Sequence, residues 1–360
     1  MLARSVNVVI TYSGKDISSD IAPYLTAFTF TDNSGDKSDD ISFTLEDRQG
    51  LWLDSWFPSK GSKITCSIVS NDVTAQSLPC GQYEADQIDY SCPPKTITIK
   101  GISTAITHSM KTEKHSKAWE NTGLRAIASD IANDNGLSLY FKASDTQIER
   151  REQILTSDIE FLSALCADYG LEVKVNEGKL IIYDGEQNEG TSSIAEIDSS
   201  DTKIIAYRFT SKSAKTYKKA KVKYHHAVKD ETFEGEDEDD SVEGTERVLE
   251  INEYAESTGD AKAIATKRLY EANKKEVTGT ITMMGDMRFR AGSNVTLTGF
   301  GAFSGKYTIT KATHTVANGY TTALELQEAK STKKSGKTRK TKQQSPSLGY
   351  YTGNNYYGKD

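Results

Sequence analysis

The sequence has no long apolar run. Nowhere do about 18 apolar residues follow one another, the length a bilayer-crossing helix needs, so the 360 residues are expected to hold no transmembrane span. The opening Met1-Leu2-Ala3-Arg4-Ser5-Val6-Asn7 returns to polar residues without an apolar block, and no signal peptide is expected there. Cysteine is scarce. Cys66, Cys80, Cys92 and Cys166 are the whole set and none forms a CxxC pair. A chain this long does not need disulfide staples, so they read as reduced thiols in a protein made in a cytoplasm. A basic excess is missing too: 44 Lys and Arg stand against 51 Asp and Glu, for a net charge of -7. Composition therefore gives no general pull toward nucleic acid.

Catalytic and ligand-binding patterns are also missing. Gly299-Phe300-Gly301-Ala302-Phe303-Ser304-Gly305-Lys306 superficially resembles a phosphate loop. A phosphate loop needs Gly where Phe300 stands, and Ser or Thr where Tyr307 stands. The segment reads as a turn between strands. His225 and His226 are adjacent, so on a strand they point to opposite faces and cannot chelate together. His108 and His115 have no nearby Cys partner, and no HxxxH or HExxH occurs. No GxSxG elbow is present. No metal, no cofactor and no catalytic residue is expected. Carboxylates are numerous but nothing in their spacing selects a pair for glycoside cleavage.

What is present is β-structure, written twice. Gly61-Ser62-Lys63-Ile64-Thr65 is followed by Gly81-Gln82-Tyr83 and then Lys95-Thr96-Ile97-Thr98-Ile99. Gly292-Ser293-Asn294-Val295-Thr296 is followed by Gly305-Lys306-Tyr307 and then Gly319-Tyr320-Thr321-Thr322-Ala323-Leu324. Two similar modules in one chain can present two similar faces to a partner. That suits a symmetry adaptor better than an enzyme.

The length implies two or three domains. In the first, 1–109, Val6, Val8 and Ile10 alternate with polar residues, and Ile41-Ser42-Phe43-Thr44-Leu45 does the same. Leu51, Trp52, Trp56 and Phe57 form the densest aromatic patch. They are expected either to plug one end of a β-barrel or to anchor a subunit contact, where tryptophan is enriched. Residues 110–190 change character and form a small α/β insertion. Asn121 or Thr122 is placed to cap a helix with Leu124, Ile127, Ala128 and Ile131 on one face. Ser157-Asp158-Ile159-Glu160 has the capping-box pattern before Phe161, Leu162, Leu165, Cys166 and Tyr169.

Glu186 to Ser193 reads as a polar linker into a second β-domain, 191–329. There Val222 and Tyr224 share a strand face. The run Glu234-Gly235-Glu236-Asp237-Glu238-Asp239-Asp240 is expected to be a solvated, mobile loop, because like charges repel. Ala261, Ile264, Ala265 and Leu269 mark one helix, begun at Thr258 or Asp260. From 330 to 360 the chain is Lys-rich and of low complexity, and is expected to be disordered alone. It ends with the pairs Tyr350, Tyr351 and Tyr356, Tyr357, which fit either a plain tail or a peptide that orders on a partner. The fold class is therefore α+β, mainly β: two β-barrel-like domains, an α/β insertion and a C-terminal flexible tail.

Met287-Arg288-Phe289-Arg290-Ala291-Gly292-Ser293-Asn294-Val295-Thr296-Leu297-Thr298-Gly299-Phe300, then Gly305-Lys306-Tyr307-Thr308-Ile309, His314 and Gly319-Tyr320-Thr321-Thr322, resemble the C-terminal part of the phage late control gene D protein family. Ser157 to Leu162, Tyr169-Gly170-Leu171 and Gly178-Lys179-Leu180 resemble its middle domain, and Val6 to Asp20 matches more weakly. The resemblance covers residues 1 to 330 and rests on turn residues rather than on chemistry. It implies a non-enzymatic hub of a contractile phage tail or tail-like particle, similar to the N-terminal part of type VI secretion spike proteins. Such hubs are homotrimeric rings with two tube-like barrels per chain. Implied partners are the tail tube or a tube-initiator protein, a central spike and other baseplate proteins; from composition, no membrane and no nucleic-acid partner is expected, the Lys-rich tail being the one segment that could contact phosphates or an acidic surface. The competing readings are a tail-associated murein hydrolase and a carbohydrate-binding tail protein.

Overall fold

The computed structural model describes residues 6–330, apart from 36, 71–75, 105–107, 177, 213–215, 227–229, 243, 256 and 275. Among these, strands predominate and helices are few. The predicted tail and its four tyrosines lie outside the described residues.

The first unit contains β1 (Val6–Tyr12), β2 (Lys15–Asp16), the short helix α1 (Ser18–Ile21), β3 (Leu25–Asn33), β4 (Asp40–Glu46), β5 (Lys63–Ser70), β6 (Ser77–Ser91) and β7 (Thr96–Ser103). The order is β3-β4-β7-β6-β5-β1-β2. Alternation in β4 buries Ile41, Phe43 and Leu45 and leaves Ser42 and Thr44 on the other face, as the sequence pattern requires. These residues, with Phe28, Phe30, Ile64 and Tyr83, form the core of this unit.

The middle unit follows: α2 (His108–Thr112), β8 (Lys114–Gly123), α3 (Leu124–Asp134), β9 (Ser138–Lys142), β10 (Gln147–Ser157), α4 (Asp158–Asp168), β11 (Leu171–Asn176), β12 (Lys179–Asp184) and α5 (Gly185–Glu189). The predicted stripes of α3 and α4 are buried together. Ser157 caps α4 through a capping box with Glu160. The α3 cap differs from expectation. Thr122 is committed to pairing with Ile148 in β8 and β10. Gly123 is the N-cap, and Asp145 reaches in to accept the Arg125 N–H at 2.9 Å. The expected linker at 186–193 is also corrected: α5 occupies its first part, and Glu189 is buried.

The last unit contains β13 (Ala195–Asp198), β14 (Ile204–Ser211), β15 (Lys219–His226), β16 (Glu231–Glu238), β17 (Val248–Ile251), α6 (Thr258–Asn273), β18 (Val277–Met284), β19 (Asn294–Thr298), β20 (Gly305–Ala317) and β21 (Gly319–Glu328). Strands β15, β16 and β17 form a separate small sheet with α6 on one face. Glu234 to Glu238 of the acidic run belong to β16 rather than to a loop, and only Asp239 and Asp240 follow it into a turn. Its charges are neutralised across the ladder, with Lys219, Lys221 and Lys223 of β15 reaching Glu238, Glu236 and Glu234 at 3.3, 3.0 and 2.7 Å. The alternate residues Phe233 and Gly235 turn inward. Helix α6 is capped by Ser257, one residue before the expected start.

The two β-modules correspond strand for strand. The second has the order β14-β18-β21-β20-β19-β13, matching β3-β4-β7-β6-β5-β1. Ile64 pairs with Tyr83 and Val295 pairs with Tyr307. Gly61 and Gly292 precede the matching strands with φ of 78° and 81°, a region open to glycine without steric cost. Both tyrosines are buried, and each hydroxyl donates to a nearby carbonyl, of Cys80 at 2.5 Å and of Phe303 at 2.9 Å. Irregularities coincide too. The register shifts between Ala85 and Gln87 and between Ile309 and Lys311. It also shifts between Leu25 and Ala27 and between Ile204 and Ala206. One difference is that β1 runs antiparallel to β5, whereas β13 runs parallel to β19.

The modules share one sheet, because β3 pairs along β20 from Asn33–Lys311 to Phe28–Val316. Among the described residues, strand pairing closes neither module into a barrel.

Candidate assembly surfaces

The aromatic patch lies on a short 3-10 turn, Leu51–Leu53, and the loop after it. Trp52 is buried in the first core, and its backbone N–H points to Asp47 at 3.4 Å. The Trp56 ring meets Trp52 edge-on at 5.3 Å and Tyr24 at 6.0 Å. Leu51 is half-buried, whereas Leu53, Trp56 and Phe57 are exposed. A cavity of about 310 Å³ opens beside them, walled by Tyr12, Ile17, Ile21, Trp52, Trp56 and Phe57. The structure thus brings the four predicted residues together but divides their environments. Trp52 faces inward, and Trp56 with Phe57 faces solvent.

A second exposed apolar surface was not legible beforehand. Strand β14 is an end strand of the sheet, and Ile205 and Tyr207 on it are exposed. Tyr207 packs edge-on against Phe300 at 5.2 Å. The only sequence signal is the alternation of Ile205, Tyr207 and Phe209, which looks like any strand.

The three units meet around a buried carboxylate. Asp32 Oδ1 accepts from Lys174 Nζ of the middle unit at 2.6 Å, and Asp32 Oδ2 accepts the Ala291 N–H of the last unit at 3.2 Å. Arg290 stands 3.9 Å from the same carboxylate and donates to the Pro79 carbonyl at 2.8 Å. Asp39 lies beside them, and burial pushes its carboxyl up to about 6 against the opposing pull of Lys174. His314 is fully buried, and burial pulls its imidazole down to about 4. Its Nε2 is 3.0 Å from the Phe289 carbonyl, which can only accept. Nε2 therefore carries the proton, and Nδ1 accepts from Tyr320 at 2.8 Å. These are structural placements: a desolvated imidazole locked between neighbours supports packing rather than proton transfer.

Among the described residues, no group of three His, Cys, Asp or Glu is arranged to hold a metal ion. No described helix is long and apolar enough to cross a membrane. The phosphate-loop lookalike is the β19–β20 connection, with a short 3-10 turn at Gly301–Phe303. It leads from strand to strand rather than from a strand into an α-helix, unlike the anion-binding loops it resembles in sequence.

Comparison with known proteins agrees with this picture. A probable baseplate hub protein of Escherichia phage P2 is 28% identical over 176 residues, 48% of this chain and 44% of the relative. The match thus spans less than half the length of that protein. Among solved structures, the prophage MuSo2 43 kDa tail protein from Shewanella oneidensis superposes with a TM-score of 0.70 at 14% identity, over 90% of this chain and 99% of that one. A tail protein from Neisseria meningitidis MC58 gives 0.69 at 12% identity, over 90% and 97%. These likenesses show the shared fold. The family described as phage tail baseplate hub (GPD) matches residues 105–320, 216 of the 360, and the chain belongs to that family as a structural component of a phage tail or tail-like particle.

Proposed function

We propose that the chain is a non-enzymatic baseplate hub that forms a homotrimeric ring and adapts a six-fold tail tube to a three-fold spike. The observation that carries this reading is the strand-for-strand correspondence of the two modules. Three chains then offer six similar faces to a tube, while the ring itself keeps three-fold symmetry. Each module acts as one tube-like barrel of the ring, with 1–109 and 191–329 as the tube-like domains and 110–190 as the outward insertion. Head-to-tail contacts close such a ring after three copies. Leu51, Trp52, Trp56 and Phe57 serve as the barrel-end plug and its exposed contact. Residues 330–360, through Tyr350, Tyr351, Tyr356 and Tyr357, reach a spike or tube-initiator protein and order there.

Light scattering of the purified chain, alone and with the spike protein of the same particle, tests the reading. A trimer in either condition is expected. A monomer in both would overturn it. Deleting residues 331–360 should weaken spike co-purification, and unchanged recovery would remove that role for the tail.

A further inference from the structure

We propose that residues 331–342 of the same chain lie along the outer edge of β16 as an added antiparallel strand. The proposal goes beyond the ring reading and does not depend on it. The surface is a sheet edge. Strand β16 pairs with β15 and ends its small sheet, while α6 packs on one face. Among the described residues no strand pairs with its outer side, and an edge left so is a template for another strand.

The chain delivers its own occupant to one end of that edge. The Ala329 N–H donates to the Lys306 carbonyl at 2.9 Å, and Lys330 Nζ donates to Glu276 at 2.6 Å. The Glu276 N–H donates to the Asn273 carbonyl at 3.0 Å, and the Asn273 side chain donates to Asp239 at 2.8 Å. Asp239 directly follows the last residue of β16. Burial pushes its carboxyl up, but hydrogen bonds from Ser241 and Asn273 outweigh that, and the nearby Lys330 ammonium adds to their pull, so the carboxyl sits below its ordinary value. Residue 331 therefore starts beside the C-terminal end of β16. A segment leaving from there along the edge runs back against the strand, which makes the pairing antiparallel. Strand β16 has eight residues, about 27 Å of edge at ~3.4 Å per residue. The segment 331–342 reaches about 40 Å when extended.

Charge selects this segment. It carries Lys333, Lys334, Lys337, Arg339, Lys340 and Lys342 and no acid. The run from 231 to 240 carries seven Asp and Glu and no Lys or Arg. Lys219, Lys221 and Lys223 of β15 take up three of them, and Asp237 and Asp240 have no ion pair among the described residues. Like charges across a ladder are unfavourable and opposite charges favourable, so this edge refuses a second copy of itself and suits a basic strand. Thr332, Thr338 and Thr341 are good strand residues, and Pro346, which cannot donate to a ladder, comes after the segment. Tyr350, Tyr351, Tyr356 and Tyr357 would then emerge past the Glu231 end of β16, which leaves them to the role proposed above.

Amide hydrogen exchange tests the contact, with the full chain set against chains lacking 331–360 or only 343–360. At low salt, residues 231–240 should exchange about tenfold faster without 331–360, and at the parent's rate without 343–360. Helix α4 serves as the reference whose exchange should not change. Lys337→Glu with Arg339→Glu and Lys340→Glu in the full chain should also speed exchange, as should salt near 1 M, where charges are screened beyond about 3 Å. Equal rates in all the chains would overturn the proposal. So would protection lost with 343–360 alone, which would assign the contact to the tyrosine-bearing part. An isotope-labelled chain lacking 331–360 should stay fast when mixed with excess full chain; slowing would give the strand to a neighbouring copy and overturn the intramolecular contact. These readouts do not require a trimer, so a monomer that shows them refutes the ring reading and leaves this one standing.

Discussion

Lys174 Nζ lies 2.6 Å from Asp32 Oδ1 and 2.9 Å from the Asn33 carbonyl, so an ammonium from the middle unit is clasped at the edge of the first module. The Asp32 side chain is only 5% exposed and that of Lys174 16%. Removing one member of a buried pair strands the other in a medium that solvates it poorly. Lys174→Met should therefore lower stability by about 3 kcal/mol, read as a drop in denaturation midpoint at neutral pH. It leaves Asp32 and Asp39 near one another without their shared cation. A midpoint equal to the parent's would show that the clasp contributes nothing net.

Asp39 and His314 should give opposing pH dependences. The Asp39 carboxyl is raised to about 6 from an ordinary 3.8, so between those values the folded state binds its proton more tightly. Its ionisation costs stability as pH rises through about 6. The His314 imidazole is lowered to about 4 from 6.5, so over that range the unfolded state binds the extra proton. Stability from His314 is full above 6.5 and is lost as pH falls toward 4. The two slopes offset each other in the parent. Asp39→Asn keeps the side-chain oxygen that accepts the Asn33 N–H and removes the charge. It should stabilise at pH 7.5 by up to about 3 kcal/mol, since a tenfold change in proton affinity is worth ~1.4 kcal/mol. It should also make stability fall more steeply with acidification from pH 6.5 to 4. Denaturation midpoints measured across that window check both signs.

Gly235 should not tolerate a side chain. A Cβ there would lie 2.2 Å from the Lys262 amide nitrogen and 2.3 Å from the Ala261 carbonyl carbon. Both atoms belong to the α6 backbone and cannot swing aside as a long side chain could. Gly235→Ala must push α6 off β16, at a cost of about 3 kcal/mol or more. Thermal melts of the variant give the measurement, and a loss below about 1 kcal/mol would mean the helix rides higher than described.

That glycine also explains part of what the sequence concealed. The run from Glu234 to Asp240 looks like a repelling acidic loop when read alone. Its partner lysines, 219, 221 and 223, lie on a different segment, and only strand pairing brings them opposite. Local patterns were legible where the cause is local: the Ser157–Glu160 capping box, the α3 and α4 stripes, and the Gly-Ser and Gly-X-Tyr landmarks of the repeat. The shared sheet, the Asp32–Lys174–Arg290 junction and the open β14 edge were not legible. Each joins residues more than a hundred positions apart, or depends on which strand ends a sheet. The aromatic patch was partly legible: its location could be read, but not which of its rings face inward.

The two tryptophans of that patch should separate folding from assembly. Trp52 is 6% exposed and Trp56 39%, although their rings touch. Truncating a buried aromatic removes its packing and leaves a cavity, at about 3–5 kcal/mol. Trp52→Ala should therefore lower the melting temperature of the isolated chain. Trp56→Ala removes a ring that covers Trp52 on one side and meets solvent on the other, so its effect on melting should be the smaller. If the exposed face of the patch anchors a subunit contact, Trp56→Ala with Phe57→Ala should instead weaken oligomer mass at fixed concentration while the fold persists by circular dichroism. The combined Trp52→Ala and Trp56→Ala variant should lose in both measurements. Unchanged melting temperature and unchanged oligomer mass in that variant would remove the patch from both roles.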